Sequence, residues 1–157
     1  MHTTSLASVR ASRSRHNGHG FTLIELMIAV SVTGILSSIA LPTFEGQLQR
    51  ARRSDVLVSI MQIQAAQERF RSYSASYGSL AEIGVPSVSS ARHYLLQTSA
   101  AEAGGYDVLA TATGTQARDI ACRYMKLSAL GANLVYASGP DASTANLAAA
   151  NRKCWSL

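Results

Sequence analysis

Gly20–Phe21–Thr22–Leu23–Ile24–Glu25–Leu26–Met27 opens a run in which Glu25 is the only formally charged residue as far as Leu41. As a helix, Phe21–Leu41 would extend about 32 Å, enough to cross the hydrocarbon core of a bilayer. Arg10, Arg13 and Arg15 precede the run and no acid does. The positive-inside rule therefore leaves residues 1–20 in the cytoplasm and everything after the run on the far side of the membrane. A secretory signal peptide is one alternative, because Ser38–Ile39–Ala40 has the small-x-small form of a cleavage site. Against it, the apolar region exceeds the usual length of about 7–15 residues and carries a carboxylate near its start. A plain signal anchor is the other alternative, and it leaves Glu25 unexplained. A carboxylate inside an apolar helix costs roughly 2.5–3.5 kcal/mol on insertion scales. No partner for it is evident within the segment, which points to a positive group on another chain.

Composition agrees with a single domain carrying this appendage. The chain has 157 residues, is 47% hydrophobic and bears a formal charge of +5. Three of its 14 basic residues lie in residues 1–20, so the remainder sets eleven cations against nine acids. The basic character that would suggest nucleic acid or an anionic surface as partner belongs mostly to the leader.

The octapeptide resembles the class III signal of type IV pilins and type II secretion pseudopilins. The resemblance implies that a membrane prepilin peptidase cuts between Gly20 and Phe21 and methylates the new Phe21 amine. The hydrophobic helix then stays attached to the mature chain. It further implies that Glu25 pairs with the Phe21 amine of a neighbouring subunit during assembly, so that an ion pair offsets the cost of the carboxylate. A leader of residues 1–20 is longer than the family's usual short ones, with Leu6 and Val9 as candidate downstream starts. The implied course is a single-pass subunit of the inner membrane, cytoplasmic at its N-terminus and periplasmic at its head, that passes into an extracellular pilus.

Gly34 and Pro42 are the soft points of this helix, Pro42 because it lacks a backbone donor. From 42 to 78 the pattern becomes amphipathic, with Val56, Ile60, Ile63, Gln67, Phe70, Ser74 and Tyr77 on one face. Arg53, Gln62, Glu68 and Arg69 fall between them, suited to solvent or subunit contacts, and Gly78 is the expected stop. Arg50, Arg52 and Arg53 form a basic cluster with three open readings: an anchor at lipid headgroups, a salt-bridge site, or a solvated turn.

Residues 79–157 read as an antiparallel β head. The expected strands are Tyr94–Thr98, Tyr106–Thr113, about Ile120–Ser128, and Leu134–Ala137, with a helical turn over 142–150. In the second, Tyr106, Val108, Ala110 and Ala112 alternate with polar or outward positions. Such a sheet covering the apolar face of the helix gives an α+β, two-layer head. Cys122 and Cys154 match neither a redox C-x-x-C nor a zinc site. In an exported domain a disulfide is the natural reading, and in a cytosolic one two free thiols. The head resembles the PilE/ComP-like minor pilins through Tyr106–Asp107–Val108, Asp119–Ile120–Ala121–Cys122, Gly131 and Cys154–Trp155. That resemblance implies the pilin fold and a Cys122–Cys154 disulfide.

Enzymatic chemistry has no support here. Three of the four histidines (His2, His16 and His19) lie in the leader, and His93 stands without a Cys or Asp beside it. No P-loop, H-E-x-x-H or G-x-S-x-G occurs, and neither a metal nor a cofactor is expected. DNA is a candidate partner through Arg118, Arg123, Lys126, Arg152 and Lys153, which a disulfide would gather toward a phosphate-binding stripe near Tyr124 and Trp155. A type II secretion pseudopilin is a further reading. The acids Glu82, Glu102, Asp107, Asp119 and Asp141 are too scattered for that group's calcium site. The expected partners are thus the prepilin peptidase, other pilin subunits, the inner membrane and DNA.

Overall fold

The computed structural model describes residues 20–101 and 104–156, with the backbone alone at 41–43. The leader residues 1–19 and Glu102, on which several expectations rest, lie outside the described residues. The chain divides into two compact units between Ala40 and Leu41. Helix α1, Leu23–Arg71, contributes to both and includes Gly34 and Pro42.

In the first unit α1 is apolar and its side chains are exposed throughout. Three of its hydroxyls bond back to the helix, which suits an apolar environment. Ser31 Oγ and Thr33 Oγ1 donate to the carbonyls of Met27 and Ala29 at 2.8 Å, and Ser38 Oγ donates to that of Ile35 at 2.7 Å.

In the second unit Val56, Ile60, Ile63 and Gln67 are the buried face of α1, each at most 2% exposed. They pack under a four-stranded antiparallel meander. The strands are β1 (Tyr94–Ala101), β2 (Gly105–Ala112), β3 (Tyr124–Leu130) and β4 (Asn133–Gly139). Leu96 pairs with Ala110, Val108 with Leu127, and Leu127 with Tyr136, which keeps the inward residues in register across the sheet. Tyr106, Val108, Ala110 and Ala112 all face the core, as their alternation predicts. Gly105 is required where β2 meets β3, since a Cβ there would stand 2.0 Å from the Ala129 carbonyl oxygen.

Three boundaries differ from expectation by more than three residues, and the ends of β1, β2 and β4 by three or fewer. Helix α1 ends at Arg71, short of Gly78. Ser72 Oγ donates to the Arg69 carbonyl and the Arg71 guanidinium to that of Ser74, so side chains replace the helical pattern in this serine-rich stretch. Beyond it, the buried Gln67 amide binds the Gly78 carbonyl at 2.6 Å and accepts its N–H at 3.0 Å, turning the chain back over α1. The segment expected as a strand from Ile120 begins instead with a 3-10 turn, Ile120–Cys122, which follows another at Gly114–Arg118. Asp119 and Cys122 are each tied to another element there, and the chain cannot extend along β2 until Tyr124. The last helix, α2, is Ala148–Trp155 rather than 142–150. Ala145 and Asn146 are engaged with Ser138 on β4, which delays the helix.

Candidate functional site

Two places carry the candidate residues: the start of α1 and the disulfide-bounded end of the head. At the first, Gly20 and Phe21 precede the helix, and Phe21 is 85% exposed. Thr22 and Glu25 form a reciprocal cap. Thr22 N–H and Oγ1 both donate to Glu25 Oε2 at 3.4 Å, and Glu25 N–H donates to Thr22 Oγ1 at 3.3 Å. This is the Thr-x-x-Glu capping box, in which the third helical residue closes the N-terminus. The expectation that Glu25 lacks a partner within its own segment is therefore corrected. Its carboxylate is held by neutral donors, at long distances, and remains exposed. From here α1 contains a window of mean hydropathy 2.0, long and apolar enough to cross a membrane by length and composition.

At the second place Cys122 and Cys154 are bonded, with Cα atoms 5.4 Å apart. Beside the disulfide lies a buried network that the sequence reading missed. Arg53 and Asp119 form a bidentate pair at 2.7 and 2.9 Å, at 6% and 5% exposure. The third guanidinium nitrogen, Nη1, donates to the Lys153 carbonyl at 3.0 Å. Gln116 Nε2 lies 3.1 Å from both Asp119 Oδ2 and the Tyr94 hydroxyl, and reaches the Gln49 carbonyl at 3.3 Å. Burial pushes the Tyr94 phenol up to about 12. One guanidinium thus joins α1, the 3-10 segment and α2. Arg53 was expected to face solvent or other subunits, yet it lies three residues before Val56 on the core stripe.

The five cations proposed for DNA do not form one set. Arg118, Arg152 and Lys153 are exposed. Arg123 Nε donates to the Ala117 carbonyl at 3.0 Å. Lys126 lies on β3 between the inward residues Met125 and Leu127, hence on the opposite sheet face, and pairs with Asp107 at 2.9 Å. Lys153 lines a groove of about 460 Å³ together with Arg50, Ala121, Ala150 and both cysteines. Arg118 lines a separate cleft of about 130 Å³ with Glu45, Leu48 and Arg52, and Gln49 borders both.

The acids are dispersed and engaged. Glu82 is held below the usual carboxylate range by the Ser79 hydroxyl and backbone N–H, and Asp141 by the same groups of Ser143. For Asp107, burial pushes upward, but hydrogen bonds from Ser128 and Lys126 together bring it down. Among the described residues no group of three or more His, Cys, Asp or Glu side chains could hold a metal ion.

Residues 15–41 match the prokaryotic N-terminal methylation motif, and residues 42–126 match the family described as type IV minor pilin ComP, DNA uptake sequence receptor. The second match alone covers more than half of the chain. The chain belongs to the ComP family of type IV minor pilins. Gly20, Phe21 and Glu25 of this pilin fall in the methylation-motif match, and Cys122 in the ComP match. Arg152, Lys153 and Cys154 lie beyond both. The type IV major pilin protein PilA of Myxococcus xanthus is 40% identical over 77 residues, 48% of this chain and 35% of that one. The fimbrial protein EcpB of Eikenella corrodens is 34% identical over 80 residues, 51% of this chain and 45% of its own. The type II secretion system core protein G of Klebsiella michiganensis is 33% identical over 86 residues, 51% of this chain and 61% of that protein. The chain thus spans less than two thirds of the length of each of these relatives.

Proposed function

We propose that this minor pilin is a structural subunit of a type IV pilus, stored in the inner membrane through residues 21–41 and polymerised through the same helix. The observation that carries the reading is an exposed, membrane-length apolar helix that starts at a matched methylation motif and runs into a matched minor-pilin head. In this reading the prepilin peptidase cuts between Gly20 and Phe21 and methylates the Phe21 amine. Glu25 then exchanges the weak neutral donors of Thr22 for the charged amine of a neighbouring subunit, a stronger partner in a low-dielectric setting. Leader and amine lie on the cytoplasmic side and the disulfide-bonded head on the periplasmic side, where oxidation is allowed. The chain serves the peptidase as substrate and itself supplies no catalytic group. A Gly20→Val chain expressed beside the peptidase should stay at precursor mass and remain in the membrane fraction. Maturation of that variant would refute the assignment of the cut.

DNA capture is a second reading, favoured by the receptor description of the matched family and by the exposure of Arg118, Arg152 and Lys153. On it, affinity for duplex DNA falls steeply with salt, and neutralising Arg152 and Lys153 together weakens binding. Undiminished binding by that variant would remove both residues from the case.

A further inference from the structure

We propose that the disulfide-bounded end of the head is a docking surface for anionic lipid headgroups, used while the subunit waits in the membrane. The proposal rests on the reading that residues 21–41 span a bilayer. Arg50, Arg118 and Lys153 are exposed, and none has an ion-pair partner among the described residues. Arg53, by contrast, is committed to Asp119. Arg50 and Lys153 share the wall of the larger groove, and Arg118 lines the cleft on the other side of Gln49. The acid of the groove, Asp119, is neutralised by Arg53, so Glu45 in the cleft is the acid left to oppose these cations.

Apolar side chains stand among them. Phe44, Ile120 and Leu147 are 66%, 58% and 83% exposed. Phe44 is one helical turn before Leu48, which borders the Arg118 cleft. Ile120 lies between Asp119 and Ala121, both in the groove wall. Leu147 follows Asn146, whose amide donates to the Ala121 carbonyl at 2.6 Å. Cations that meet phosphates, interleaved with side chains that enter the headgroup–acyl boundary, are the chemistry of a surface lying on a bilayer. Chain connectivity supplies the occupant. Phe44 and Arg50 follow Leu41, the end of the segment read as membrane-spanning, so closely that even an extended chain carries them no more than about 11 and 32 Å from it. That limit holds whatever angle the head adopts. Duplex DNA could use the three cations, but it offers nothing to the three apolar side chains.

The test reconstitutes the processed chain, with its disulfide intact, in nanodiscs of phosphatidylcholine alone or mixed with phosphatidylglycerol. Amide hydrogen exchange is then read over residues 118–122 and 146–151. Slower exchange in the anionic discs is expected, fading with added salt. Arg50→Gln and Lys153→Gln should each weaken that protection by roughly fivefold. Both side chains are exposed and outside the buried network, so the fold tolerates the changes; an Ile120→Ser/Leu147→Ser chain should lose part of the protection, and the part that remains should still fade with salt. Equal exchange in the two discs, with the chain inserted, would overturn the proposal. Protection that arises only with duplex DNA or only in assembled filaments would assign the surface to nucleic acid or to a second copy instead. A chain that never inserts would overturn the membrane reading and this proposal with it.

Discussion

Arg53 shows how a charged side chain can belong to a core. It continues the spacing of Val56, Ile60, Ile63 and Gln67, and its partner Asp119 is as deeply buried as it is. Removing one member of such a pair leaves an uncompensated charge, and Arg53→Ala should cost about 3–5 kcal/mol. Urea unfolding of the chain in detergent would measure that loss, and an Arg53→Met/Asp119→Leu chain should regain most of it. If the double variant is no more stable than the single one, the ion pair is not the source. Tyr94 makes a pH prediction in the same region. Its phenol lies near 12 in the fold and near 10 when unfolded, so the folded state favours the protonated form. The stability this contributes is complete below pH 10 and is lost as pH rises from 10 toward 12. Tyr94→Phe should flatten the alkaline decline, and Tyr106, also near 12 through burial, should account for part of what remains. An unchanged decline in Tyr94→Phe would contradict this account.

At the scale of elements, much of the fold was legible. The amphipathic spacing of α1 from Val56 to Gln67 and the alternation from Tyr106 to Ala112 each named inward residues, because a side chain's face follows directly from its helical or strand period. Ser74 and Tyr77, expected on the same helical face, fall past the end of α1. The ends of elements were not legible, because side chains set them through distant contacts. Gln67 folds Gly78 back onto α1, and Asp119 and Cys122 keep residues 120–122 out of β3. Two site features could have been read and were missed. Thr22-x-x-Glu25 is a capping box in the sequence alone, and Arg53 sits in register with the core. The proposed DNA cations were read by proximity in sequence, which cannot tell which face of β3 carries Lys126. The disulfide closes the C-terminal segment over this end of the head. Reducing it should lower stability by roughly 3–4 kcal/mol on a chain-entropy basis. Its loss should raise hydrogen exchange in α2 before it does so in β2. Simultaneous release of both elements would show that the bridge does not act locally. Gly105→Ala places a methyl against the Ala129 carbonyl, so it should destabilise the β2–β3 pairing far more than Gly46→Ala does at an open position of α1. Equal urea midpoints for the two variants would contradict the close approach.

For the whole molecule, one chain carries two different packing problems. The head encloses its own core, whereas α1 from Leu23 to Ala40 presents apolar side chains that no described residue covers. On the proposed function, a bilayer and then a bundle of pilin helices would solve the second problem in succession. On the proposed function the cleavage point decides whether the solution applies, since a chain that keeps its leader would have no amine at Phe21 for a neighbour's Glu25 to find. Mass spectrometry of sheared, purified pili therefore tests the account most directly. It predicts a peptide from this chain that begins at Phe21 and carries a methyl group on its amine. An intact Gly20–Phe21 bond in the assembled material would contradict it.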